Sequence, residues 1–128
     1  MGTWGAGPFE NDNAREYLDS VLEKFFTEIQ EEFEEVKSID PIVFLYHGDH
    51  KFIPALDIYT TLLIEYDGYP ELELDTFKQW KTVYFDIFDR DDAVNPPKFK
   101  EERRTAVMEV FNRLESYLLD WYNDPRLT

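Results

Sequence analysis

Apolar residues recur every three or four positions through the first third of the chain. Ala14, Tyr17, Leu18, Val21, Leu22, Phe25, Phe26, Ile29, Phe33 and Val36 make one stripe of helical period. The stripe predicts a helix from Ala14 to Lys37. Asn11, Asp12 and Asn13 offer N-cap side chains, and Asn13 with Glu16 has the spacing of a capping box. Asp40-Pro41 predicts the helix end near Ser38, because the residue before proline is pushed out of helical geometry.

The pattern changes after that. Ile42 to Tyr46 is a short, uniformly apolar run, which periodicity alone cannot separate into strand or helix. With no pairing strand in evidence nearby, it is read as helix. Ala55, Leu56, Tyr59, Leu62, Leu63 and Tyr66 then share a helical face, with Pro54 suited to a first turn. The stretch YDGYPELEL breaks the chain. Asp75 is placed to cap a third helix that turns Phe77, Trp80, Tyr84, Ile87 and Phe88 inward, with a strand over Val83–Phe88 as the alternative. DRDDAVNPP reads as a loop, and a last helix runs from about Lys98 to Tyr122. Its expected inward face is Phe99, Ala106, Val110, Phe111, Leu114, Tyr117, Leu118 and Trp121. The fold expected is all-α, one compact domain over residues 1–128 with four to five helices, and residues 1–13 forming a Gly-rich arm packed on the bundle.

Composition narrows the chemistry. The 128 residues include 28 acids against 13 bases, a net charge of −15, and acids outnumber bases in both halves. Phosphate neutralisation requires Lys and Arg, so direct binding to nucleic acid or an anionic membrane is disfavoured. A basic protein partner is favoured instead, with a fast and salt-sensitive association. The chain has no cysteine, which excludes disulfides and thiolate metal sites. No apolar run has the length of a membrane span and no leader pattern stands at the start, so a cytoplasmic protein is expected. MGTWGA has Ala6 where an N-myristoylation signal requires Ser or Thr.

Three groups are candidates for function. Glu28, Glu31, Glu32 and Glu35 fall on one helical face with Glu34 beside them. Like charges at this spacing cost the helix roughly 0.2–0.5 kcal/mol per pair. A solvated face and a docking surface for a basic protein are the two readings. His47 and His50, with Asp49 between, offer a transition metal two imidazoles and a carboxylate, as in a small metal-dependent hydrolase. A glycine intervenes and no second motif completes the set, so the segment is read as a surface turn and no metal or cofactor is expected. Asp89, Asp91, Asp92 and Asn95 lack the central Gly of a calcium loop, and Lys100 stands where its last Glu belongs. Lys98, Lys100, Arg103 and Arg104 form the one basic cluster, expected to pair with neighbouring Glu101 and Glu102 or with the acidic first helix. No Ser-His-Asp, Cys-His or nucleotide-binding pattern is present, and no enzyme activity is expected.

The opening phrase MGTWGAGPFENDNA remains. Gly2, Gly5 and Gly7 permit positive φ or close approach, Pro8 stiffens the chain, and Trp4 and Phe9 are apolar anchors. An arm pinned across the bundle is the architecture this predicts. Gly2, Trp4, Gly5, Gly7, Pro8, Phe9, Glu10, Asn11, Asp12 and Ala14 resemble the opening of the bacterial family called domain of unknown function 4259. The resemblance covers these first fourteen residues and thins beyond the first helix. It implies a small, mostly helical bacterial protein and carries no catalytic residues across. Small acidic proteins of this sort are similar to immunity or antitoxin-type partners, an analogy of class. The function expected is therefore a non-enzymatic interaction module that occludes a basic surface, such as a nuclease toxin's substrate groove. A structural or oligomeric subunit is a further alternative.

Overall fold

The computed structural model of the protein describes residues 7–8, 10–36, 40–90 and 97–123. These residues form five α-helices and one π-helical turn, with no strand. Helix α1 spans Asp12–Val36, α2 Pro41–His47, α3 Ile53–Tyr66, α4 Leu74–Arg90 and α5 Pro97–Tyr122. The π turn, Gly48–Phe52, joins α2 to α3 with right-handed helical backbone at both junctions, so residues 41–66 are one continuous helical run. The fold is an all-α bundle. Both ambiguous segments, 41–47 and 82–88, are helix.

The starts of α1 and α2 have a local cause. The Asn11 carboxamide oxygen accepts from Ala14 N at 2.8 Å and caps α1. The expected Asn13–Glu16 box is displaced by this earlier cap, and Asp12 is already the first helical residue. Upstream, Gly7 N donates to the Glu10 carboxylate at 3.0 Å while Glu10 N donates to Gly7 O at 3.1 Å, closing a reciprocal turn. Asp40 caps α2 through Ile42 N at 2.8 Å, with Pro41 in the first turn. Asp75 lies inside α4, one residue past its start, rather than capping it. Trp4, Gly5 and Phe9 of the arm lie outside the described residues, as do Asp91, Asp92 and Asn95.

The core is aromatic. Trp80 of α4 meets Phe33 of α1 at 5.4 Å and Phe52 of the π turn at 5.7 Å between ring centroids. Tyr84 meets Phe44 of α2 at 5.9 Å and Phe111 of α5 at 5.8 Å. These two rings of α4 tie together α1, α2, the π turn and α5, at distances where offset and edge contacts are favourable.

Two predicted faces are rotated. On α5, Phe99 is 59% exposed and Ala106 is exposed, whereas Val107, absent from the expected face, is fully buried. The inward face reads Lys100, Arg104, Val107, Phe111, Leu114 and Leu118, of which Lys100, Arg104 and Phe111 meet rings of α4. Its first two positions are cations: Lys100 Nζ sits 5.7 Å from the Phe88 ring centre and the Arg104 guanidinium 4.9 Å from that of Phe85. On α1, Tyr17 and Val21 are exposed, at 68% and 36%. They lie on the rim of the arc that α1 buries, on the side next to α3.

The loop 67–73 between α3 and α4 is tied down by polar groups from three helices. Arg15 of α1 donates to Tyr66 O at 2.6 Å and also to Asp67 O. Tyr59 of α3 accepts from Glu71 N at 3.2 Å. From α5, Tyr117 donates to Gly68 O at 2.6 Å and Tyr122 to Leu72 O at 3.0 Å. Burial raises the pKa of all three tyrosine hydroxyls, so they stay neutral hydrogen-bonding groups.

Candidate functional site

The acidic cluster of α1 is divided by the fold. Glu32 turns inward: its side chain is only 11% exposed, 3.2 Å from His47 Nδ1 and 3.2 Å from Lys51 Nζ. It joins α1 to the end of α2 and to the π turn, so it leaves the expected partner-binding set. The physical reason is angular. Glu32 is three residues from Ile29 and one from Phe33, both buried, and so falls at the edge of the core face. Glu28, Glu31, Glu34 and Glu35 are exposed. Of these, Glu28, Glu31 and Glu35 form no ion pair with any described residue.

Tyr17, Val21, Lys24, Glu28, Glu31 and Glu35 follow one another at alternating intervals of four and three residues. This is the spacing of a single helical stripe. The outer face of α1 therefore carries an exposed aromatic and an aliphatic residue toward its start, Lys24 in the middle, and toward its end three carboxylates that pair with no described residue. The sequence contained this stripe, but Tyr17 and Val21 were counted with the core because apolar periodicity does not tell a buried position from one on the rim.

His47 and His50 are not in a surface turn. They lie in the continuous helical run 41–66, His47 closing α2 and His50 inside the π turn. His47 faces Glu32, while His50 has its Nδ1 on Tyr46 O at 2.8 Å and stacks on the Tyr46 ring at 4.2 Å. Asp49 points elsewhere, to Arg103 of α5, at 2.8 Å from its Nη2 and 3.0 Å from its Nε. The fully buried Tyr84 hydroxyl lies beside this pair; burial first, and the Asp49 charge second, push it up while Arg103 opposes. Among the described residues no three His, Asp or Glu side chains are grouped to hold a metal ion.

The basic cluster of α5 pairs with α4 and the π turn rather than with α1. Arg104 makes two bonds to the Asp89 carboxylate, at 2.8 and 3.1 Å, which hold that carboxyl below its ordinary range. Lys100 donates to Asp89 O at 3.3 Å. Asp89 and Arg90 belong to the last turn of α4. The side chain of Lys98 lies outside the described residues.

Two concave features accompany these groups. A hollow of 440 Å³ is lined by Tyr69, Pro70, Glu71, Glu73, Leu74, Asp75 and Tyr122. Desolvation first, then the charges of Glu23 and Asp19, push the Glu71 carboxyl above its ordinary range. The second is a notch of 30 Å³ between α1 and the π turn with α3, lined by Phe25, Glu28, Ile29, Glu32, Lys51, Phe52 and Ala55. That volume admits a side-chain tip and is far below the roughly 300–1,000 Å³ of small-molecule sites.

Comparison with protein-family models finds no match to the chain. Comparisons with curated proteins and with solved structures find none either. Among the described residues no helix is long and apolar enough to cross a membrane.

Proposed function

We propose that this chain is a non-enzymatic interaction protein of the immunity or inhibitor kind, acting in the cytoplasm. It covers a basic surface of a partner protein with the outer stripe of α1. The observation that carries the reading is that stripe: Glu28, Glu31 and Glu35 exposed and without a described counter-ion, in line with exposed Tyr17 and Val21. The mechanism is occlusion. Carboxylates take the positions of phosphates on a Lys/Arg-rich groove, while the aromatic and aliphatic residues exclude water at one end. The likeness of the opening phrase to domain of unknown function 4259 belongs to the same reading and supports a bacterial setting. In its described part that phrase forms the Gly7–Glu10 turn and the Asn11 cap.

The test is co-expression with the products of adjacent genes, capture at low salt after nuclease treatment, and identification of companions by mass spectrometry. A single stoichiometric basic protein, released as salt rises, is expected. The triple variant Glu28→Lys, Glu31→Lys, Glu35→Lys should lose it while unfolding at the same temperature. Unchanged affinity in that variant would refute the assignment.

A further inference from the structure

The crevice between α1 and α3 continues the proposed docking face, and the geometry points to its occupant: a short amphipathic helix of the basic partner, apolar at one end and rich in Lys and Arg at the other. This rests on the reading of the α1 stripe as a partner face and specifies what the partner presents to it.

Helix α1 runs antiparallel to α3 and the π turn that precedes it, in a register set by three contacts. Arg15 reaches Tyr66 O at 2.6 Å, the Phe25 and Tyr59 rings lie 6.1 Å apart, and Glu32 meets Lys51 at 3.2 Å. Phe25 and Ala55 both line the notch. One and two turns from Phe25 toward the start of α1 stand Val21 and Tyr17. One and two turns from Ala55 along α3 stand Ile58 and Leu62. Helical periodicity therefore carries the notch forward as a seam with Tyr17 and Val21 on one bank and Ile58 and Leu62 on the other. Ile58 is 53% exposed and Leu62 half-buried. At its other end the seam is rimmed by Glu28, with Glu31 and Glu35 beyond.

Charge selects among occupants. A second copy of this chain brings a net charge of −15 and the same carboxylate rim, so self-docking is repelled. Nucleic acid and anionic lipid are repelled for the same reason, and the notch is too small for a free ligand. An amphipathic helix fits both halves, with i, i+3, i+4, i+7 anchors over Val21 and Ile58 and basic residues over Glu28, Glu31 and Glu35. The distance from Val21 to Glu35 along α1, about 21 Å, matches a helix of about four turns.

Three fluorescein-labelled synthetic peptides of about fifteen residues test this by anisotropy against the full chain. One has Leu at i, i+3, i+4, i+7 in its first half and Lys in its second. The next has the same composition with the Leu scattered around the helix. The last has the Leu replaced by Gln. The patterned peptide is expected to bind at least about tenfold tighter than either other. Val21→Ser with Ile58→Ser, both exposed positions, should erase that margin and leave the Lys-dependent affinity of the Gln peptide unchanged. Equal binding of patterned and scattered peptides, or no effect of the double variant, overturns the groove and leaves the acidic face standing. Failure of every peptide to bind at low salt overturns both.

Discussion

Replacing Gly48 by Ala adds one methyl where the π turn meets α4. In an open helix that exchange stabilises by about 1 kcal/mol, since Ala loses less backbone freedom on folding. Here the sign should reverse. A Cβ at Gly48 would stand 2.9 Å from Cε2 of Tyr84, with Oη at 3.6 Å and Cζ at 3.7 Å, whereas carbon atoms in contact settle at about 3.5–4.0 Å. The ring has nowhere to go, because Phe44, Phe85, Phe88 and Phe111 surround it at centroid distances of 5.9, 5.4, 6.0 and 5.8 Å. Overpacking of a core costs about 1–3 kcal/mol, and a caged ring belongs in the upper half of that range. Less the helical gain, the net loss is about 1–2 kcal/mol. Urea unfolding should show the midpoint lowered by roughly 0.5–1 M at unchanged slope. The clash is with ring carbon, so Gly48→Ala should cost as much in a Tyr84→Phe background and clearly less in Tyr84→Leu. A raised midpoint for Gly48→Ala would refute the reasoning, showing propensity alone at work.

Asp67 ends α3 with φ and ψ both at 50°, a left-handed position that Asp tolerates and Gly prefers. Asp67→Gly should stabilise by about 0.5 kcal/mol in the same urea assay, strain relief slightly exceeding the entropy that Gly adds to the unfolded chain. Arg15→Met removes the cation from the last carbonyls of α3 and should cost about 1–2 kcal/mol, with hydrogen exchange speeding up first in the loop 67–73. Two carboxyls should give pH dependences of opposite sign. Glu71 is raised, so its ionisation opposes folding as pH rises through the folded value; Glu71→Gln should raise the melting temperature at neutral pH and make no difference below the ordinary carboxylate range. Asp89 is lowered by Arg104, so its contribution is present at neutral pH and lost as pH falls through the folded value; Asp89→Asn should lower the melting temperature at pH 7 and not in strong acid.

How much of the site was legible follows from what periodicity can register. Glu28, Glu31 and Glu35 were readable as one exposed face because their spacing is a property of the helix alone. Glu32 was assigned to that face and is withdrawn from it by His47 and Lys51, residues 15 and 19 positions away that no local rule connects to it. The same limit hides the exposure of Tyr17 and Val21: they have core-like spacing, and only packing decides that they stay uncovered. On α5, the sequence reads Lys100 and Arg104 as part of a basic cluster that pairs with acids, and places Phe99 inside. Their cationic heads lie over Phe88 and Phe85, a packing that hydropathy patterns count on the wrong side. The histidine segment was read as a turn because glycine punctuates chains. Here Gly48 has right-handed helical angles and is required by the nearness of Tyr84.

The sequence by itself determined the helical class, the approximate limits of the long helices, the aromatic character of the core and the net acidity. Those are local or additive properties, set by repeat period, capping chemistry and charge count. Only the tertiary structure decided which carboxylates face solvent, where the histidines point, and how three tyrosines and Arg15 hold one loop. Each of these depends on residues distant in sequence meeting at a distance of a few ångströms. Charge count and helical period are fixed before folding, whereas the partner of a side chain is chosen by packing.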